Sequence, residues 1–360
     1  MGTCVKKIPM YIVIAINLVM IVAMNFCAYT AYFPSQDYPE ISYFGLLFPV
    51  FVVADLLFIP LWLIFKWKMT VLPVAGALLC AGAIRTYCPL NFPVEAPEGS
   101  LKVLSFNVMS FGANKDVPWE DNEVVKYVMD ADADIVCLQE AIRSDIERGK
   151  TVFRAKYPYI VLKSTKENHL MCMSKFPMDS IGEINSPSAT NRSMVVEVLV
   201  KGDTIVLVNN HLESYKLSTE DKDDYKSIIK NYDSPDANDS ELKFHNLAKK
   251  LSHSDSIRGI QADSVAAFIE RNKGRYIIAC GDFNSASISY THHRMTGDLN
   301  DAYTRSGNGP GVSYNRSGMY FRIDNIFVSP NISAYGAKVD NTFSLSDHYP
   351  ITCSVKLEEK

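Results

Sequence analysis

Arg275-Tyr276-Ile277-Ile278-Ala279-Cys280-Gly281-Asp282-Phe283-Asn284 joins strand character to ligand-type chemistry within ten residues. Its first six residues form an apolar, β-branched run, the pattern of a buried strand. Directly past that run stand an acid and an amide two residues apart. A carboxylate at a strand end can take a proton from water or bind a hard cation, and an amide can hold a phosphoryl oxygen. Alone the Gly-Asp-Phe-Asn tetrad says little, because loops after strands use Asp and Asn as turn formers. Its weight comes from the same arrangement recurring along the chain.

Upstream, Leu101–Val108 reads as a strand ending with Asn107 exposed. Val124–Met129 fits a helix face, and Ala133–Leu138 a buried strand running into Gln139-Glu140. Val152–Tyr159 and Lys163–Met173 suggest further elements, with Lys175-Phe176-Pro177 as a turn. Ser193–Val200 alternates like a strand, and Thr204–Val208 leads into Asn209-Asn210-His211. The polar stretch Glu213–Ser256 follows. Its helical parts, Glu220–Tyr232 and Glu241–Leu251, flank a break at Ser234–Ser240, and Ile257–Asn272 forms a separate amphipathic helix. Downstream, Phe321–Val328 is a strand carrying Asp324 at its centre, and Ser346-Asp347-His348-Tyr349-Pro350 precedes the last strand, Ile351–Leu357.

Strand after strand thus ends in a carboxylate, amide or imidazole: Asn107, Glu140, His211, Asp282 with Asn284, Asp324, and Asp347 with His348. Any one of these is ordinarily a turn, a cap or a solvated end. Together, if the strand ends converge, they supply carboxylates for Mg²⁺ or Mn²⁺ and imidazoles and amides for a phosphoryl group, as metal-assisted phosphoester hydrolysis requires.

The remainder of the chain has a different character. Of 360 residues, 48% are hydrophobic, and residues 9–87 hold a disproportionate share. Pro9–Tyr32 is long enough to cross a bilayer, as is about Phe44–Phe65, and a shorter segment, about Met69–Ile84, contains Pro73, Gly76 and Gly82. Lys6 and Lys7 precede the first span, and Lys66 and Lys68 sit between the second and third, whereas the Pro34–Ser42 loop has no Lys or Arg. Basic residues stay in the cytoplasm, so three crossings put everything after Arg85 outside; two would leave it inside. Asp55, within the second span, either marks an intramembrane site or pairs with Asn17 or Asn25. Residues 88–100, with three prolines, form a short tether. The expected organisation is a transmembrane region over 1–87, the tether over 88–100 and a catalytic domain over 101–360.

Residues 1–99 carry five basic and five acidic groups, so the remainder holds the whole net charge of −4. A mildly acidic domain lacks the broad basic face of a non-specific nucleic-acid binder. The eight cysteines show no metal-ligand spacing; Cys137, Cys280 and Cys353 read as small buried hydrophobes.

Ser105-Phe106-Asn107, Leu138-Gln139-Glu140, Asn210-His211-Leu212, Gly281-Asp282-Phe283-Asn284, Arg322-Ile323-Asp324 and Ser346-Asp347-His348 together resemble, in order, the endonuclease/exonuclease/phosphatase superfamily. Deoxyribonucleases, apurinic endonucleases, neutral sphingomyelinases and inositol-polyphosphate 5-phosphatases are among its branches. The resemblance implies a four-layered α/β sandwich of two mixed sheets with outer helices and says nothing about the membrane segment; with its apolar spans the chain reads as a membrane-anchored, bacterial-type member. It also implies Glu140 as the main Mg²⁺ (or Mn²⁺) ligand, with Asn107 beside it and Asp347 as a second ligand. Asp282 would orient or deprotonate the attacking water, Asn284 and His211 would bind phosphate oxygens, and His348, oriented by Asp324, would bind the scissile phosphate or act as base. Met109 and His211 depart from the apurinic-endonuclease pattern, and Ser317–Phe321 lacks the Trp-containing signature of the 5-phosphatases.

The leading expectation is a phosphodiesterase in the cell membrane, its catalytic domain outside, acting on lipid headgroups or small phosphodiesters. An extracytoplasmic nuclease for DNA or RNA is the alternative, and a non-catalytic membrane scaffold a third reading. Besides substrate and bilayer, no protein partner is inferred. Lys216, Lys222, Lys226 and Lys230 of the insertion either face an anionic ligand or are offset by Asp221, Asp223 and Asp224.

Overall fold

Period-two sequences with both faces apolar make strands that must be covered on both sides, and that requirement organises the domain. In the computed structural model, which describes residues 8–112, 117–164, 169–188, 190–230, 237–316 and 318–358, two six-stranded sheets pack face to face. Several sequence expectations lie outside the described residues. They are Lys6, Lys7, Cys4, Ser317, residues 165–168 and 231–236, and the Lys230 side chain.

The strands are β1 (Leu101–Asn107), β2 (Ile135–Gln139), β3 (Tyr159–Ser164), β4 (His169–Ser174), β5 (Met178–Ile184), β6 (Arg192–Val200), β7 (Asp203–His211), β8 (Tyr276–Asp282), β9 (Asn300–Asp301), β10 (Asp324–Val328), β11 (Ile332–Val339) and β12 (Ile351–Leu357). One sheet runs β11-β12-β1-β2-β4-β3, the other β5-β6-β7-β8-β10-β9. Alternate residues of β1, β2, β7 and β8 divide between the shared core and the outer layers. Val103, Ile135, Cys137, Ile205, Leu207, Ile278 and Cys280 point between the sheets, joined there by Cys353. On the outer face of the first sheet, Leu104, Phe106, Val136 and Leu138 meet helices α5 (Glu123–Asp130) and α6 (Ile146–Phe153). Outside the second, Val206, Val208 and Ile277 meet Val265 and Ile269 of helix α8 (Ala237–Arg271). The result is the four-layered α/β sandwich expected.

Before the sandwich stand α1 (Ile8–Tyr29), α2 (Phe48–Phe65), α3 (Val71–Leu79) and α4 (Ala81–Tyr87). Met10–Tyr32 and Pro39–Phe65 are each long and apolar enough to cross a membrane, whereas Trp67–Leu79 and Ala81–Tyr87 are so only as a pair, bent by 67°. Asp55 takes Asn17 as partner, one of the two anticipated: Asn17 Nδ2 donates to its Oδ1 at 3.1 Å, and Trp62 Nε1 donates to Asn17 Oδ1 at 2.9 Å.

Two local expectations are corrected. After α7 (Thr219–Lys230), α8 runs unbroken for 35 residues from Ala237, so Glu241–Leu251 and Ile257–Asn272 belong to one helix. Its polar first half packs beside α7, where Lys250 and Lys243 meet Asp221 and Asp224 at 2.6 and 3.6 Å. The β10 strand begins at Asp324 rather than Phe321, which makes only an isolated bridge with Tyr314.

Candidate active site

The two parallel pairs, β1 with β2 and β7 with β8, bring four strand C-termini to one end of the sandwich. Asn107 pairs with Gln139 and His211 with Asp282. Antiparallel β10 starts there with Asp324 opposite Asp282, and antiparallel β12 enters from Ser346–Pro350 to pair Ile351 with Ser105. Topology, not proximity in sequence, gathers the set.

Tight backbone geometry aims the side chains. Glu140 and Asn284 sit at φ of 52° and 49°, the left-handed region that non-glycine residues occupy at a cost. Gly281, at φ 134°, lies so close to β7 that a Cβ there would come within 2.0 Å of the Asn210 carbonyl oxygen. That close approach explains the glycine of Gly-Asp-Phe-Asn. A buried amide network pins the two sheets under the site. Gln139 Nε2 donates to Asn209 Oδ1 at 2.7 Å, and Asn209 Nδ2 donates to the Leu138 and Met171 carbonyls.

At the centre, Asn107 Nδ2 donates to Glu140 Oε1 and to Asp282 Oδ2, each at 3.1 Å. Asn107 is thus buried rather than exposed, because it is wedged between two carboxylates. Asp282 Oδ2 also lies 3.7 Å from His211 Nε2 and 3.6 Å from His348 Nε2, so two imidazoles flank one carboxylate oxygen. The Asn284 backbone N–H donates to Asp282 Oδ1 at 2.8 Å, fixing that carboxylate, while Asn284 Nδ2 donates to the Leu212 carbonyl at 3.0 Å.

His348 Nδ1 and Asp324 Oδ2 are 2.8 Å apart, both residues buried. Burial disfavours the imidazolium, but the Asp324 and Asp282 carboxylates outweigh it and push the His348 pKa up from 6.5 to about 10. The Ser313 hydroxyl accepts from the Asp324 and Ile323 backbone N–H groups at 3.0 Å, and Tyr314 packs edge-on to His348, the ring centroids 5.2 Å apart. Asp347 is half-buried and, among the described residues, hydrogen-bonds to none of this set.

The donors fit a hard divalent cation on the Glu140 side. Two carboxylates converge there with a single neutral amide between them, and the Glu140 side chain keeps 36% exposure, open to substrate. Asn107 Oδ1 accepts from the Met109 N–H, so Asn107 could ligate only after its amide turns over. Asp282, Asp324 and His348 also bring ligand atoms within 4.8 Å of one another. That second group fits less well, since Asp324 Oδ2 and His348 Nδ1 are already bonded to each other.

Sequence patterns missed the residues beneath this surface. Arg258, fully buried on α8, donates to the Glu213 carbonyl at 2.5 Å, pairs with Asp255 and lies over the Tyr215 ring. Arg322 meets Asp301 Oδ2 at 3.3 Å, and the same oxygen lies 3.1 Å from His292 Nε2. An arginine inside an apolar helix face reads as solvated until the tertiary contacts appear; only the Arg-x-Asp spacing pointed to Arg322.

The endonuclease/exonuclease/phosphatase family model matches residues 104–348, and a domain of unknown function matches residues 10–87. No curated protein matches the chain. A humanized zebrafish (D. rerio) TDP2 structure superposes with a TM-score of 0.52 at 16% identity, covering 71% of this chain and 99% of that one. Zebrafish TDP2 complexed with single-strand DNA product gives 0.51 at 16% identity, covering 72% and 100%. An endonuclease/exonuclease/phosphatase from Beutenbergia cavernae gives 0.50 at 15% identity, covering 72% of each chain. At such identities the likeness is one of fold. The family match, spanning more than half of the chain, makes this protein a member of the endonuclease/exonuclease/phosphatase family, an enzyme of the metal-dependent phosphoester-hydrolase class.

Proposed function

We propose that the chain is a membrane-anchored, Mg²⁺-dependent (or Mn²⁺-dependent) phosphodiesterase acting outside the cytoplasmic membrane, on lipid headgroups or small phosphodiesters. One observation carries the membrane-facing reading. Ile288, four residues past Asn284, is buried among Met24, Cys27, Phe48 and Cys80 of the apolar bundle, so the loop that follows the catalytic end of β8 packs against the bundle. A loop tied to the bundle beside the site supports the reading of a substrate held at the membrane surface.

The sidedness has its own support. The loop joining α1 to α2 and the exit at Tyr87 both adjoin the catalytic domain, while Lys66 and Lys68 mark the opposite end of the bundle. Three crossings with Lys66 and Lys68 in the cytoplasm give that arrangement. Two of the insertion lysines turn to acids of the chain itself, which weakens a role for them toward nucleic acid and anionic headgroups alike. Lys216 pairs with Glu213 at 2.7 Å and Lys226 with Asp223 at 3.2 Å, so they answer the chain's own acids.

In this reading Glu140 would hold the cation, with Asn107 and Asp347 at its margin, and the ion would supply positive charge against the phosphoryl oxygens. Asp282, fixed by Asn284 and Asn107, takes the proton of the attacking water. His211 and the His348 imidazolium present Nε2 on either side of that oxygen and bind the phosphoryl group as charge builds. Asp324 keeps His348 oriented and charged.

The test is the full chain in lipid nanodiscs with Mg²⁺ or Mn²⁺, given a phospholipid panel, bis-p-nitrophenyl phosphate and plasmid DNA beside Asp282→Ala and His348→Ala. Lipid turnover lost in both variants is the expected result. Plasmid nicking without lipid turnover would replace it with the nuclease. Inactivity on all three with metal bound would overturn the lipid and small-phosphodiester reading.

A further inference from the structure

The contact between the bundle and the domain is closer than a tether requires. Gly45, between α1 and α2, approaches the 285–289 loop so tightly that a Cβ there would fall 2.1 Å from the Ile288 carbonyl oxygen. On the other side, a Cβ on Gly259 of α8 would meet Gln36 Oε1 at 2.2 Å and Ser35 Oγ at 2.6 Å. Between these contacts Ser35 donates to the Asp255 carbonyl at 2.8 Å, Ser42 to Asp255 Oδ2 at 2.7 Å, and Gln36 Nε2 to Asp263 Oδ2 at 2.8 Å. Tyr32 packs on His293 with ring centroids 4.3 Å apart.

A second junction lies under the histidine–aspartate pair. Arg322, 3% exposed, donates from Nη2 to the Thr86 carbonyl in the last turn of α4 at 2.6 Å. A helix C-terminal carbonyl is one of the orphan acceptors that a buried guanidinium satisfies well. The next residue, Ile323, accepts the Phe283 N–H at 3.0 Å, and the one after is Asp324, partner of His348. One three-residue segment therefore joins the end of α4 to both halves of the catalytic apparatus.

We infer that the domain-facing end of the helical bundle is a working part of the active site, holding the Phe283–Ser289 loop and, through Arg322, the Asp324–His348 pair in catalytic register. The inference rests on the hydrolase reading above for its kinetic consequence. Loops with few internal contacts are the first part of a fold to open, and Ser285, Ser287 and Ile288 are buried in a loop whose neighbours include the bundle. A displacement of about 1 Å at reacting groups can cost about 10²-fold in rate. Arg322 acts here as a positioning residue, since its side chain reaches Thr86 and Asp301 rather than the reacting centre.

The experiment compares wild type, Gly45→Val, the double variant Gln36→Ala/Ser42→Ala, Arg322→Met and Arg322→Lys as full chains in nanodiscs. Two readouts are taken: kcat and KM on bis-p-nitrophenyl phosphate, and hydrogen exchange over residues 282–290. Gly45→Val and Arg322→Met are expected to lose at least about 10-fold in kcat with KM changed less than about two-fold, and to speed exchange across 282–290. The double variant should shift both readouts less, and Arg322→Lys should regain most of the kcat lost in Arg322→Met. Unchanged exchange over 282–290, or unchanged kcat, in Gly45→Val that retains its helical content would overturn the inference. If wild type hydrolyses nothing, the hydrolase reading fails instead. The exchange comparison then still decides whether the bundle holds the loop.

Discussion

Asp324 Oδ2 lies 2.8 Å from His348 Nδ1, a buried contact across 24 residues of chain that fixes which imidazole nitrogen faces the site. With Nδ1 committed, Nε2 is the atom turned toward Asp282, 3.6 Å away. Removing the charge while keeping the shape, Asp324→Asn, should lower kcat by about 10²–10⁴-fold and leave KM within a few-fold, as for an orienting carboxylate in other enzymes. Steady-state kinetics on a small phosphodiester checks this, and a variant retaining wild-type kcat would remove Asp324 from the mechanism.

The same pair gives a pH signature in the metal-free protein. The folded His348 pKa of about 10 stands above its ordinary 6.5, so the pair stabilises the fold fully below pH 6.5 and loses that contribution as pH rises through about 10. The stability gap between wild type and His348→Asn should therefore narrow between pH 7 and pH 10.5. Denaturant midpoints across that range provide the measurement; a constant gap contradicts the assignment.

Metal removal should separate Glu140 from Asp347. Glu140 shares the Asn107 amide with Asp282, whereas Asp347 hydrogen-bonds to no other site residue among those described. A cation at about 100 times its Kd adds about 2.7 kcal/mol of stability. Glu140→Gln should abolish the rise in Tm on adding Mn²⁺, and Asp347→Asn should retain most of it. Equal losses in both would make Asp347 a full ligand.

Gly281→Ala tests the close approach of β8 to β7. The added methyl meets the Asn210 carbonyl at 2.0 Å in a backbone conformation that disfavours any side chain, so a loss of about 2 kcal/mol or more is expected. Chemical denaturation of the variant is the check. Alanine tolerated at no cost would mean that the two strands separate readily at this end.

Much of the fold was legible locally. A strand such as Tyr276–Asp282, buried along its whole length, shows itself as a continuous apolar run, and its terminal acid stands out because burial of a carboxylate demands a partner. The apolar spans of the first 87 residues are likewise a matter of composition and length. Boundaries were less readable where long-range packing overrides local signals. Pairing with α7 sustains the polar first half of α8, and Phe321 drops out of β10 to bridge Tyr314.

The strand-end chemistry of Asn107, Glu140, His211, Asp282, Asp324 and His348 is written locally, because residue type and strand period are properties of a few neighbouring positions. Which of these atoms meet was decided by sheet order, which pairs Asp282 with Asp324 and sets Asn107 between the Asp282 and Glu140 carboxylates. Only the tertiary structure could also bury Arg258 and Arg322 and seat Ile288 among Met24 and Phe48. Those contacts reach across the chain, 45 residues from Arg258 to Glu213 and 236 from Arg322 to Thr86, and their energy depends on desolvation and close packing that exist only once the layers have assembled.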